Sequence, residues 1–389
     1  MKRPTRPGLG RKKHFTVDGN RLTLLIEGHE RLKALIDLID GAKHSLRLLY
    51  YIYTDDETGE QVRDAMARAL DRGVEVSLIV DGFGSSAKPG FFVPLEEKGA
   101  DVCRFLPRFG RRYLLRNHQK LALADERRAI VGGFNIEHHY FDDGSKGWRD
   151  LGILVEGSAA KRLVGYFDAL ARWTHHPRAR LRYLRRALSH WSNPSGDKAC
   201  WLLGGPTRRL SPWARVLRKD VRQAKRLDII AAYFAPTPRM MRAIDGVPRR
   251  GGEARVIAPA RTDHEIAIAA ARHTYHRLLS RGVKIFEYQR QKLHTKLFVI
   301  DDVVHIGSAN FDVRSLFLNL EIMLRVEDKE FADHMRRYVD GEIAESREIR
   351  RVIHERAGFL TRLRWALAYY LMAVVDASVT RRLSFGVDQ

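Results

Sequence analysis

His118-Gln119-Lys120-Leu121-Ala122-Leu123-Ala124-Asp125 is followed, after six residues, by Gly132-Gly133-Phe134-Asn135; His294-Thr295-Lys296-Leu297-Phe298-Val299-Ile300-Asp301 is followed, after five, by Gly307-Ser308-Ala309-Asn310. In an extended strand, residues two apart share a face, so each His and Lys project together and the four apolar residues behind them continue the strand. The acidic residue marks a turn. The chain then returns through 129–131 or 303–306 and brings the small residues and Asn back toward the His. One hairpin thus gathers an imidazole, an ammonium and a carboxamide. A lone His-x-Lys pair is a common surface accident; two in matched hairpins are not. The missing residue in the second copy is assigned to a shorter turn.

Outward from the hairpins, the chain repeats one plan. In 21–156, helical spacing of Leu32, Leu35, Ile36 and Ile39 leads to a strand at 46–53, a helix at 59–71, a glycine stop at Gly73 and an apolar strand at 74–81. The order returns after residue 200, with a helix at 213–225, a strand at 227–233 and strand-like runs at 253–259 and 282–288. The expected fold is α/β, an internal duplication of two similar halves. Residues 1–20 read as a basic flexible arm, 21–175 as the first half, 176–198 as a basic linker ending in a loop signal, 199–345 as the second half, and 346–389 as an amphipathic C-terminal segment.

With 389 residues, 44% of them hydrophobic, the chain can bury a large core. A formal charge of +22 predicts attraction to polyanions, either nucleic acid or an anionic membrane face. Cys103 and Cys200 are isolated, which argues against a disulfide framework or a cysteine zinc site and fits a reducing cytosol. The N-terminus is basic without the apolar segment of a secretory signal. The apolar run 365–375 is too short to span a bilayer. The segment 359–379, with apolar residues at helical spacing and arginines at its start, either lies in a membrane interface or caps the core.

The grouped residues suit phosphodiester chemistry. A neutral imidazole can attack phosphorus, while Lys120, Lys296, Asn135, Asn310, Ser308 and the Gly133 position can stabilise charge on the non-bridging oxygens. The second histidine supplies a proton to the leaving alkoxide and later removes one from the incoming alcohol. Asp150 and Glu321, each opening an alternating strand, are expected to orient His118 and His294 through the ring nitrogen not used in catalysis. Asp125 and Asp301 belong to the same motif as structural or hydrogen-bonding members rather than proton carriers. His138, His139, His175, His176 and His273 have no repeat partner and are assigned no chemistry.

The two motifs resemble the phospholipase D superfamily signature over residues 20–345. Finer detail is similar to bacterial cardiolipin synthases of the short form: Tyr50-Tyr51-Ile52-Tyr53, Arg116-Asn117-His118, Trp148-Arg149-Asp150, Tyr233-Phe234-Ala235-Pro236, Thr262-Asp263-His264 and Asn310-Phe311-Asp312-Val313-Arg314-Ser315. The resemblance implies two phospholipase D-like halves, each a mixed β-sheet flanked by helices, packed about a pseudo-twofold axis with a shared site and no required metal or other cofactor. It implies ping-pong phosphatidyl transfer, with His118 as nucleophile and His294 as acid/base, although the near symmetry leaves the reverse assignment open. It also brings His264 toward the substrate.

The expected function is phosphatidyl transfer to the hydroxyl of phosphatidylglycerol, with phosphatidylglycerol or phosphatidylethanolamine as donor. The expected location is cytoplasmic, peripheral on the anionic inner face of the cell membrane. Hydrolysis by the same site, or metal-independent cleavage of nucleic acid, are the competing functions. One chain carries both motifs, so a monomer would suffice.

Overall fold

The computed structural model describes residues 14–106, 114–176, 179–192, 196–207, 210–355 and 357–375. Two eight-stranded mixed sheets are built on one plan. In the first, the order across the sheet is His14–Val17, Asn20–Leu25, Gly152–Glu156, Arg128–Gly132, Leu121–Ala124, Ser45–Tyr50, Glu75–Asp81 and Asp101–Phe105. In the second it is Ala199–Gly204, Glu321–Glu327, Val303–Gly307, Lys296–Ile300, Arg226–Ala231, Glu253–Pro259, Lys284–Tyr288 and Ser346–Ile349. The motif hairpin lies at the centre of each. On one side of it three strands run parallel to one another, with Ser346–Ile349 added antiparallel at the edge of the second sheet; on the other side all pairings are antiparallel.

Burial on both faces explains why the motif strands read as unbroken apolar runs. Leu121 and Leu123 face a core shared by the two halves, whereas Ala122 and Ala124 face one belonging to the first half alone. Leu297 and Val299 repeat this alternation against Phe298 and Ile300. The inner faces of both sheets and the helices Ser158–His175 and Lys329–Ala344 build the shared core. The halves are therefore joined by apolar burial on a domain-interior scale rather than by a linker.

The hairpin turns account for the unequal motif spacing. Ala124 pairs with Arg128 across three turn residues, with Asp125 and Glu126 at φ of 50° and 56°; Ile300 pairs with Val303 across two, with Asp301 at 48°. Aspartate tolerates this left-handed region better than branched residues do.

The segment boundaries need three corrections. His14–Val17 pairs with Asn20–Leu25 as the edge of the first sheet, so the expected arm stops short of residue 14; residues 1–13 lie outside the described residues. The expected linker contains the helix Leu181–Trp191, whose Leu181, Leu184 and Leu188 enter the shared core, because the arginines between them fall on the opposite face. Ser346–Ile349 pairs with Lys284–Tyr288, extending the second half past residue 345. Among the described residues, no helix is long and apolar enough to cross a membrane.

Candidate active site

Each motif histidine is held by backbone from the other half. The His118 amide donates to the Leu320 carbonyl at 3.0 Å, and Leu320 N–H returns to Arg116 O at 2.9 Å. Reciprocally, His294 and Thr295 amides both donate to Arg149 O, at 2.7 and 3.1 Å. Leu320 and Arg149 are the residues just before Glu321 and Asp150. Reciprocal contacts of this kind are what two equivalent halves make about a twofold axis. They bring each acid to the opposite half's histidine.

His118 Nδ1 meets Glu321 Oε1 and Oε2 at 3.0 and 3.1 Å, and His294 Nδ1 meets Asp150 Oδ2 at 2.7 Å. A carboxylate accepts only, so Nδ1 of each ring carries the proton in these bonds and Nε2 remains for chemistry. Both acids were expected to orient the histidines; the structure crosses them, Glu321 to His118 and Asp150 to His294.

The two carboxylates are secured differently. Ser308 Oγ donates to Glu321 Oε2 at 2.5 Å, Ser315 Oγ to Oε1 at 2.7 Å, and Gln119 Nε2 to the Glu321 carbonyl at 2.9 Å. Asp150 Oδ1 accepts its neighbour Leu151 N–H at 2.7 Å, and Arg31 donates to the Asp150 carbonyl at 2.8 Å. Gly133 stands in the first motif where Ser308 stands in the second. A Cβ there would lie 2.5 Å from Asp150 Oδ1, so the shorter acid leaves no room for a side chain. Arg149, which receives His294 through its carbonyl, is itself fixed by a buried ion pair with Glu342 at 2.6 Å. Removing one partner of such a pair costs about 3–5 kcal/mol.

Both lysines lie under the histidines. Lys120 Nζ donates to His118 O at 2.6 Å; Lys296 Nζ donates to His294 O and sits 2.9 Å from His294 Nδ1. Burial, reinforced by the other lysine, pushes Lys120 down to about 7 against the pull of Glu321 and Asp150. Burial likewise brings Lys296 down to about 8. Burial and the adjacent Lys296 hold His294 at about 3, and burial lowers His118 despite Glu321. Cations are thus disfavoured in a dry site until an anion enters. Perturbation of four such groups that act on one another is a physical mark of a reactive centre.

Aromatic rings wall the imidazoles. Tyr51 packs edge-on against His118 at 5.0 Å, and Tyr140 and Trp148 against His294 at 5.1 and 5.0 Å. These contacts, together with Ser315 and Gln119, were not assigned from sequence, because nothing in their local spacing points to a residue in the other half or in another strand. His264 sits beside Tyr233 with ring centroids 5.8 Å apart.

Several expected site residues serve the scaffold instead. Asp125 accepts the backbone amides of Lys43, His44 and Ser45 at 2.8–3.1 Å, and Asp301 those of Lys225 and Arg226. Each lies at the far end of its strand, roughly 15 Å from the motif lysine by strand rise. They tie the hairpin turn to the start of a neighbouring strand, as hydrogen-bonding members of the motif rather than proton carriers. Ser308, expected on phosphate, bonds Glu321, and Gly133 provides space for Asp150. Asn135 accepts from Ile52 N at 3.1 Å and donates to Tyr140 OH at 2.8 Å, bracing the His294 wall. Asn310 differs: its Oδ1 is buried without a hydrogen-bond partner. No cluster able to hold a metal occurs among the described residues.

Two duplicated halves, one shared core and a pair of opposed His–carboxylate dyads over buried lysines define a phospholipase D-type phosphotransfer enzyme. The family described as cardiolipin synthase, phospholipase D-like domain, matches residues 35–171 and 217–342, and the chain belongs to it. With that membership comes its enzyme class, a phosphatidyltransferase. Cardiolipin synthase A of Pseudomonas entomophila is 31% identical over 353 residues, covering 88% of this chain and 72% of that one. Cardiolipin synthase of Geobacillus thermodenitrificans is 30% identical over 78% of this chain and 62% of its own length, so the chain spans only part of these relatives. In three dimensions it is similar to phosphatidylserine synthase of Haemophilus influenzae, with a TM-score of 0.72 at 13% identity, covering 92% of this chain and 95% of that one. At that identity the likeness concerns the fold.

Proposed function

We propose that this enzyme makes cardiolipin by moving a phosphatidyl group from a donor phospholipid to a hydroxyl of phosphatidylglycerol. The crossed dyads carry the reading, since they leave one Nε2 on each of two histidines for one phosphorus. The bound phosphodiester anion raises the affinity of Lys120, Lys296 and His294 for protons. His118 Nε2 attacks phosphorus, and the P–O bond to the donor's alcohol breaks as His294 Nε2 delivers a proton to that oxygen. The product is a phosphohistidine and a free alcohol. Phosphatidylglycerol then enters, gives its hydroxyl proton to His294, and its oxygen displaces His118 from phosphorus. Lys120 and Lys296 balance charge on the non-bridging oxygens throughout.

Phosphatidylglycerol or phosphatidylethanolamine serves as donor, and the site of action is the anionic inner face of the cell membrane, reached peripherally. The names of the relatives and the charge of +22 support this reading. The test incubates purified protein and a His118→Ala variant with phosphatidylglycerol vesicles in EDTA, with and without phosphatidylethanolamine, and resolves lipids by mass spectrometry. Cardiolipin from the wild type alone supports the proposal. Phosphatidic acid alone makes the protein a hydrolase, and metal-independent DNA cleavage without lipid turnover makes it a nuclease.

A further inference from the structure

The helix Phe359–Tyr369 and its continuation Tyr370–Val375 have two apolar faces. Ala368, Tyr369 and Ala373 pack with Ala269, Ala270 and Met241 in a small core on the helix Glu265–Ser280. The opposite face shows Phe359, Leu360, Leu363, Leu367, Tyr370 and Leu371, each between 43 and 78% exposed. Capping the core uses one face and leaves the other as a ridge of large side chains. Scattered exposed apolar residues need no explanation, but six along one helix make a contiguous patch of the kind that marks an interaction surface.

We infer that this ridge is the membrane-docking surface of the enzyme, inserting into the interface of a bilayer rich in anionic phospholipid; the inference rests on the phosphatidyltransferase reading. Charge selects the partner. Between residues 347 and 364 stand Arg347, Arg350, Arg351, Arg356, Arg362 and Arg364 against Glu348 and Glu355 alone. An apolar face bordered by arginine is the composition of an interfacial helix. Tyr369 OH donates to Pro236 O at 2.9 Å; the Tyr233–Pro236 segment is bonded to Phe311 in both directions, at 3.1 and 3.0 Å, and Phe311 follows Asn310 of the motif. The helix that carries the ridge is thereby tied, through Pro236 and Phe311, to the segment that holds Asn310 of the second motif.

The test measures co-sedimentation of wild type and of Leu360→Ser/Leu363→Ser/Leu367→Ser with vesicles of phosphatidylglycerol and phosphatidylcholine, and with pure phosphatidylcholine. The wild type is expected to bind the anionic vesicles, and the triple variant to lose about tenfold or more in partitioning, from the apolar area removed. Arg362→Gln/Arg364→Gln, which keeps every apolar side chain of the ridge but breaks the 3.0 Å ion pair of Arg364 with Glu265, is expected to weaken binding to anionic vesicles alone, with unaltered thermal unfolding verifying that the helix stays packed. Turnover of a dispersed short-chain phosphatidylglycerol separates the two readings, because it requires the site but no bilayer. The triple variant should keep that turnover while losing turnover on vesicles, and unaltered thermal unfolding verifies its fold. A wild type that binds vesicles yet turns over neither substrate sinks the transferase reading and leaves docking standing. Vesicle binding unchanged in both variants overturns the docking surface. So does a triple variant that changes oligomeric state but not partitioning, since a second copy then covers the ridge.

Discussion

Glu321 and His118, 203 residues apart in the chain, meet through both carboxylate oxygens, while the residue preceding the glutamate bonds the backbone of the residue it serves. Backbone and side chain are thus positioned by the same strand, which makes the pairing stiff. Asp150 and His294 repeat it in the opposite sense.

Crossed pairing predicts which histidine each acid controls. Glu321→Gln should lower kcat by about 10²- to 10⁴-fold, as loss of the orienting carboxylate does in comparable triads. In ¹⁵N-histidine spectra it should shift the His118 resonances, and Asp150→Asn those of His294. Glu321→Gln acting on His294 alone would contradict the crossed geometry.

Gly133→Ala should act through Asp150. Its Cβ meets both carboxylate oxygens, at 2.5 and 2.8 Å, so the carboxylate must swing away from His294. The expected result is a kcat lowered by about 100-fold with a smaller change in KM, because orientation rather than substrate binding is lost. Ser308→Gly removes a donor to Glu321 without a clash and should cost less, about tenfold. Equal losses in the two variants would remove the steric argument.

Lys120 links activity to pH and to stability. In the free enzyme it loses its proton near pH 7 and Lys296 near 8, so kcat/KM should fall as pH rises through that range. An unfolded lysine ionises near about 10.4, so between about 7 and 10 the unfolded chain binds the extra proton and stability rises with pH. Below that window the cost of the buried charge is fully present. Lys120→Met should therefore unfold at a higher temperature than wild type at pH 7, with the gap closing toward pH 10, while turnover drops by orders of magnitude. A variant less stable than wild type at pH 7 would overturn this account.

Asp125→Ala separates scaffold from chemistry. It strips acceptors from three backbone amides and should destabilise the protein by about 1–3 kcal/mol, read by urea unfolding. Turnover per folded molecule should stay within about twofold of wild type. A large loss of kcat in fully folded protein would give Asp125 a part in the chemistry and overturn its scaffold role.

The hairpins were legible because their information is local: His and Lys two apart, a strand of apolar residues and an acidic turn lie within eight positions. Tyr51, Tyr140, Trp148 and Ser315 were not read as site residues, since each reaches the centre from outside the two hairpins. The segment 176–198 was misread for the opposite reason. Its arginines dominate the composition, while the three leucines that anchor Leu181–Trp191 appear only when placed on a helix.

By itself the sequence determined two α/β halves, the paired motifs and the acids that serve them, because strand period, turn chemistry and repeated spacing act over short distances. Only the tertiary structure decided which acid serves which histidine, that Ser308 secures Glu321 while Gly133 makes room for Asp150, and that Asp125 and Asp301 tie strands together. Those facts depend on how two surfaces pack about a shared core. Such packing is set by the summed burial of side chains distant in sequence, which no local spacing records.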